Sequence, residues 1–176
     1  NSSPDSFKAR LLVEYCQRNT GIDVIVPALS YDPALALAML EQDVIADSQD
    51  IALLVGSSLG GYYATYLAER YGFKVALINP AVAPCDHLDE GFLGFKRNPY
   101  TGEEYEFTLA HANSLRLLNV EKISNTANYL LLVQTGDKVL DYRLAVDLYA
   151  GCRQIVQEGG SHSFENFAAV LPLMME

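Results

Sequence analysis

The sequence predicts a three-layer α/β fold, in which a mostly parallel sheet carries helices on both faces. Two observations carry that prediction. Short apolar, β-branched runs alternate along the chain with segments of helical character, the order that builds strand–helix–strand crossovers. In the middle of this alternation, the run Ile51-Ala52-Leu53-Leu54-Val55 is short enough to be a buried strand. It passes through Gly56-Ser57-Ser58-Leu59-Gly60 straight into a helical segment, Gly61 to Tyr71. That segment stops at Gly72, the residue type favoured just past a helix end.

Each element follows from local signals. Ser3 is expected as a helix N-cap, with Pro4 at the first helical position and Asp5 near the positive end of the dipole. Phe7, Leu11, Leu12 and Tyr15 then form one apolar face, and the helix ends near Asn19-Thr20-Gly21. Ile22 to Leu29 reads as a strand, and Asp32-Pro33 repeats the cap signal for a helix to about Asp47. After the helix that ends at Gly72, Lys74 to Asn79 is a strand closed by Pro80. Residues 130–135 and 155–157 are strands separated by a helix over 143–150. A final helix runs from Phe164 to about Leu173, with Pro172 as its terminator.

The interval from Asn79 to Tyr129 is too long for a simple crossover. Glu104 to Leu118 supplies the helix, which leaves residues 81–105 as a small cap insertion within a single domain, 1–176. Phe92, Phe95, Tyr100 and Tyr105 are available to line an acyl pocket, with Tyr62 and Tyr63 below. Tyr62, Tyr63 and Tyr100 are therefore the candidate substrate contacts. For any one of these aromatics the alternative is packing of the loop onto the body. Asp86-His87-Asp89-Glu90 is contiguous and acidic without a second ligand cluster, which fits a solvated loop better than a metal site.

The chemistry centres on the G-x-S-x-G pattern. Between a strand and a helix it reads as a nucleophile elbow, a turn that lifts a serine in a strained backbone conformation. Hydrogen is then expected at positions −2 and +2, here Gly56 and Gly60, and the spacing makes Ser58 rather than Ser57 the nucleophile. A phosphate loop would need Gly-Lys-Ser/Thr or G-x-G-x-x-G, and neither is present. A serine needs a base and an acid to activate it. Of the three histidines, His162 alone follows a strand-like run and a flexible turn, Gly159-Gly160-Ser161. Asp137 ends the run Tyr129 to Gly136 at what should be a strand's carboxyl end, with Asp141 as the second candidate acid. A surface-loop histidine and a turn aspartate are the alternatives. Against them, Ser58, Asp137, His162 is the chain order of the α/β-hydrolases. The backbone N–H of Leu59, directly after the nucleophile, is the expected oxyanion donor.

The chain also resembles the YqiA-type bacterial esterases of the α/β-hydrolase superfamily. The segments that carry the likeness are Gly56 to Thr65, Asn79-Pro80-Ala81-Val82, Asn98-Pro99-Tyr100-Thr101-Gly102, Gln134-Thr135-Gly136-Asp137, Val139 to Arg143, and Glu158-Gly159-Gly160 with His162. The resemblance implies hydrolysis of carboxylic esters, of short acyl chains, without a cofactor or metal. A thioesterase or small serine peptidase would use the same residues, and a non-catalytic binding protein on the same fold is the more distant alternative. The resemblance further implies a short apolar strand, ending in a His-Gly-Phe-like turn, ahead of Asn1. On that expectation the sequence is part of a longer protein, and the second oxyanion donor lies upstream.

Composition narrows the setting. The chain has 176 residues, half of them apolar, enough for one substantial core. Cys16, Cys85 and Cys152 are odd in number and scattered, which points to reduced thiols and a cytoplasmic protein. No apolar run approaches the roughly 20 residues of a membrane span. A net charge of −10 disfavours nucleic acid and anionic membranes as partners, leaving a small-molecule ester as the expected one.

Overall fold

The structure is a computed structural model and describes residues 3–46, 51–86, 93–98 and 101–175. Its centre is a four-stranded parallel sheet in the order β1-β2-β5-β6, made by Leu54–Ser57, Val75–Ile78, Tyr129–Gln134 and Arg153–Gln157. β2 and β5 are interior strands, and their sequences Val-Ala-Leu-Ile and Tyr-Leu-Leu-Leu-Val-Gln are buried throughout, as a strand covered on both faces requires.

Alternation along these strands assigns each face its helices. Ala76, Ile78, Leu130 and Leu132 point to one side. There they meet Leu12 and Cys16 of α1 (Phe7–Asn19) and the C-terminal residues Phe164, Phe167, Val170, Leu171 and Met174. Val75, Leu77, Leu131 and Val133 point to the other. They meet Ala64 and Ala68 of α3 (Leu59–Tyr71) and Ala145 of α5 (Tyr142–Leu148). A third cluster joins Ala36 of α2 (Pro33–Ala46), Tyr62 and Tyr63 of α3, Phe107, and Ala112 and Leu115 of α4 (Leu109–Arg116). The expected three layers are present.

Several local expectations need correction. α1 is capped by Ser6, whose side chain accepts from the N–H of Ala9, while Ser3 Oγ accepts from Asp5 N in the turn before it. Residues 22–29 have no regular secondary structure and join no ladder. A strand needs a neighbour for its N–H and C=O groups, and among the described residues none runs beside it. Glu104 to Leu118 is not one helix: Gly94–Arg97 (β3) and Glu104–Phe107 (β4) form an antiparallel ribbon, and α4 starts afterwards. Thr108 causes that late start, since it and His111 form a reciprocal cap at the helix N-terminus. At the C-terminus, Phe164 and Asn166 have positive φ, so the chain turns before a 3₁₀ turn (Phe167–Val170) and α6 (Leu171–Met174). Pro172 sits in the first turn of α6, where its missing N–H costs nothing, instead of ending a helix. Asp32 caps α2 as expected, its Oδ1 accepting from Ala34 N at 2.8 Å.

Candidate active site

Ser58 is the single residue between the end of β1 and the start of α3. Its φ of 55° and ψ of −125° place a non-glycine residue in a sparsely populated region, a strain that surrounding bonds must hold. Ser58 N donates to Ile78 O of β2 at 3.1 Å, and Ser58 O accepts from Gly61 N and Ala81 N at 2.9 and 3.0 Å. The turn is also closed sterically. A Cβ on Gly56 would lie 2.5 Å from Gly60 O and 2.7 Å from Gly61 Cα. Gly60 does not share this need, because a Cβ there would meet nothing within 4 Å. The second enforced glycine is Gly61, whose Cβ would come within 2.7 Å of Pro80 Cβ. Close packing of the α3 start on the β2–loop junction, which a five-residue pattern does not encode, moves the requirement by one position.

Asp137 lies in the turn after β5. Its Oδ1 accepts from the backbone N–H groups of Val139 and Leu140 at 2.8 and 2.9 Å, and its Oδ2 faces His162 Nδ1 at 2.7 Å. The side chain is 1% exposed. Gly136 allows this turn to approach the loop after β6: its N–H donates to Gly159 O at 2.7 Å, and a Cβ on it would overlap Gly160 O. On the opposite edge of the imidazole, Nε2 lies 3.1 Å from Ser58 Oγ. All three groups are satisfied when Nδ1–H donates to Asp137 and the Nε2 lone pair accepts the Ser58 hydroxyl proton. The structure thus brings Ser58, His162 and Asp137 into one hydrogen-bonded line. Asp141 stands apart, as the N-cap of α5, accepting from Arg143 N and Arg143 Nε.

Two supporting residues escaped the sequence reading in this role. Asn79 and Gln134 are buried amides at the carboxyl ends of β2 and β5. Asn79 Nδ2 donates to Ser161 O and His162 O at 3.0 and 3.2 Å, and its Oδ1 accepts from Gln134 N. Gln134 Oε1 accepts from Ser161 N and Glu165 N, and its Nε2 donates to Glu165 O and Gln157 Oε1. The signal available was a polar residue closing each of two otherwise apolar strands.

The remaining candidates are dispersed. Leu59 is the first residue of α3, where a helix leaves its N–H without an intrahelical acceptor and its dipole favours negative charge. Tyr62 and Tyr63 are 5% and 4% exposed and pack in the third core cluster. Tyr62 donates its hydroxyl to Leu115 O at 2.8 Å and borders a polar cavity of about 240 Å³ with Ala83, Cys85, Asp86, Arg116, Asn119 and Glu121, none of them a member of the Ser58 line. Tyr100 and Phe92 lie outside the described residues, as do Asn1, His87, Asp89 and Glu90. Phe95 is on β3 and 84% exposed, while Tyr105 stacks on Tyr31. Among the described residues no group of three His, Cys, Asp or Glu is placed to hold a metal ion, and no helix is long and apolar enough to cross a membrane.

Known proteins share this architecture. A protein from Agrobacterium vitis S4 superposes with a TM-score of 0.75 at 18% identity, over 99% of this chain and 84% of that one. Mouse alpha/beta hydrolase domain-containing protein 10 gives 0.67 at 16% identity, over 99% and 84%. The esterase domain of a Rhodothermus marinus protein gives 0.64 at 18%, over 96% and 79%. At such identities the likeness speaks to fold alone. The model of an uncharacterised protein family, UPF0227, matches residues 1–176. The chain therefore belongs to UPF0227, the YqiA family, and has the α/β-hydrolase fold.

Proposed function

We propose that this protein is a serine esterase that hydrolyses carboxylic esters of short acyl chains through an acyl-enzyme. One observation carries the reading: a serine at a strained strand-to-helix turn, 3.1 Å from an imidazole whose other nitrogen is 2.7 Å from a buried carboxylate. In this reading His162 Nε2 takes the Ser58 proton as Oγ attacks the ester carbonyl. Asp137 keeps the proton on Nδ1 and stabilises the imidazolium that forms. Leu59 N–H, at the positive end of α3, donates to the developing oxyanion. The imidazolium passes its proton to the departing alkoxide, and the alcohol leaves. Water then enters, gives a proton to His162 and attacks the acyl-Ser58 carbon; the carbon–Oγ bond breaks, the imidazolium returns the proton to Ser58 Oγ, and the acid is released. No cofactor enters this cycle. Membership of the YqiA family, an esterase family, supports the choice of ester over other acyl substrates.

A panel of p-nitrophenyl esters and acyl thioesters of graded chain length tests the proposal. Turnover of the short esters, lost in Ser58→Ala, is the expected result. Faster turnover of thioesters than of matched esters would replace the esterase reading with a thioesterase one.

A further inference from the structure

The base sits on a loop that would not hold its shape unaided. Phe164 and Asn166 take φ of 62° and 57°, and Gly159 and Gly160 take 75° and 72°. Four residues within eight positions thus lie in left-handed backbone, two of them without glycine's tolerance. What holds the loop is a set of side chains from elsewhere. Asn79 ties Ser161 O and His162 O, Gln134 ties Ser161 N and both backbone groups of Glu165, and Lys8 Nζ of α1 donates to Ser163 O at 3.1 Å. Gly160 is packed so tightly on the Gln134 amide that no Cβ would fit.

Asn79 has a particular place in this set. The residue before it, Ile78, accepts the backbone N–H of Ser58, and Ala81 just beyond it donates to Ser58 O. One short stretch at the end of β2 therefore grips the nucleophile by its backbone and the base's loop by a side chain. Asn79 is itself fixed, its N–H donating to Leu132 O at 2.9 Å and its Oδ1 accepting Gln134 N at 3.0 Å. Its φ of 40° is a conformation that asparagine accepts more readily than most residues.

We propose that Asn79 is a positioning residue whose side-chain amide, supported by that of Gln134, sets the height of the His162 imidazole between Asp137 and Ser58. The inference rests on the reading of Ser58 and His162 as nucleophile and base. Nothing in it requires Asn79 to touch substrate. Its effect is on how often Nε2 is within reach of Ser58 Oγ and Nδ1 within reach of Asp137.

The test uses Asn79→Gly, which removes the amide and suits a left-handed backbone, and Asn79→Asp, which keeps the shape and the acceptor but replaces the donor with a carboxylate oxygen that faces two carbonyl oxygens. Four quantities are read: kcat and KM for p-nitrophenyl acetate, the rate of fluorophosphonate labelling, and the melting temperature. In Asn79→Gly, kcat and the labelling rate are expected to fall together by about a hundredfold, with KM within about threefold. A folded Asn79→Gly with kcat and labelling rate within about threefold of the parent overturns the proposal. So does a loss of kcat/KM carried by KM with kcat and labelling kept, which is the mark of a merely structural role. If Asn79→Gly melts below the assay temperature, Asn79→Asp is judged by the same kcat, KM and labelling criteria, and unfolding of both variants also overturns the proposal. Ser58→Ala run in parallel separates the two readings: if it retains turnover and labelling the esterase reading fails, whereas a silent Asn79→Gly beside a dead Ser58→Ala defeats the positioning role alone.

Discussion

The carboxyl ends of the parallel strands and the β3–β4 ribbon are built to different tolerances. At the strand ends, a Cβ on Gly56, Gly61, Gly136 or Gly160 would overlap its neighbours, and the buried amides of Asn79 and Gln134 are bonded on both their oxygen and nitrogen atoms. The ribbon pairs Gly94–Arg97 with Glu104–Phe107 as a separate sheet, anchors through Phe107 and Tyr105, and leaves Phe95 in solvent. Proton transfer between fixed atoms is sensitive to displacements of an ångström or less, whereas a surface ribbon can vary without disturbing them. The strand ends should therefore be intolerant of small changes and the ribbon tolerant of large ones.

The largest expected effect is at the buried carboxylate. Asp137→Asn keeps shape but removes the charge that orients His162, so kcat for an activated ester falls by about 10⁴. Asp141→Asn retains an N-cap oxygen on α5 and leaves kcat within about twofold. Steady-state kinetics on both variants decides the matter, and the reverse ranking would make Asp141 the acid.

Next is Gly160. A methyl there needs a left-handed L-residue and strikes Gln134 Oε1, so Gly160→Ala should displace the His162 loop and lower kcat by about a hundredfold. A variant as active as the parent would show that the loop is not gripped as tightly as its packing implies.

Within the elbow the contrast sharpens to adjacent residues. Gly61→Ala pushes into Pro80 and should cost about 1–3 kcal/mol in a urea melt. Gly60→Ala meets open space and should change stability by less than about 1 kcal/mol, in the stabilising direction expected for alanine in a first helical turn. Equal costs would mean that the second glycine of the pattern is held by something other than sterics.

The smallest effect belongs to the ribbon. Phe95→Ser removes an exposed ring and should alter stability by less than about 0.5 kcal/mol, read by thermal denaturation. A large loss there would mean that the ribbon is part of the core.

Legibility in the sequence follows the same division. Ser58, Asp137 and His162 were readable because each closes a strand-like run with turn chemistry, and their order along the chain is itself informative. The interior strands were readable because burial on both faces leaves continuous apolar runs. Asn79 and Gln134 were not readable as supports, since the side-chain partners are 23 or more residues away and their role exists only once β2, β5 and the last loop are side by side. The strand expected over 22–29 failed for a related reason: its alternation is local, but a ladder is not. Pro172 was ambiguous by nature, because proline both ends helices and starts them.

Activation of one serine, Ser58, by the His162–Asp137 pair is decided by peptide mass mapping after fluorophosphonate treatment. A single adduct on Ser58 is expected, none on Ser57 or Ser161, with loss of labelling in Ser58→Ala and in His162→Ala. An adduct on Ser57, or labelling that persists in Ser58→Ala, would contradict it.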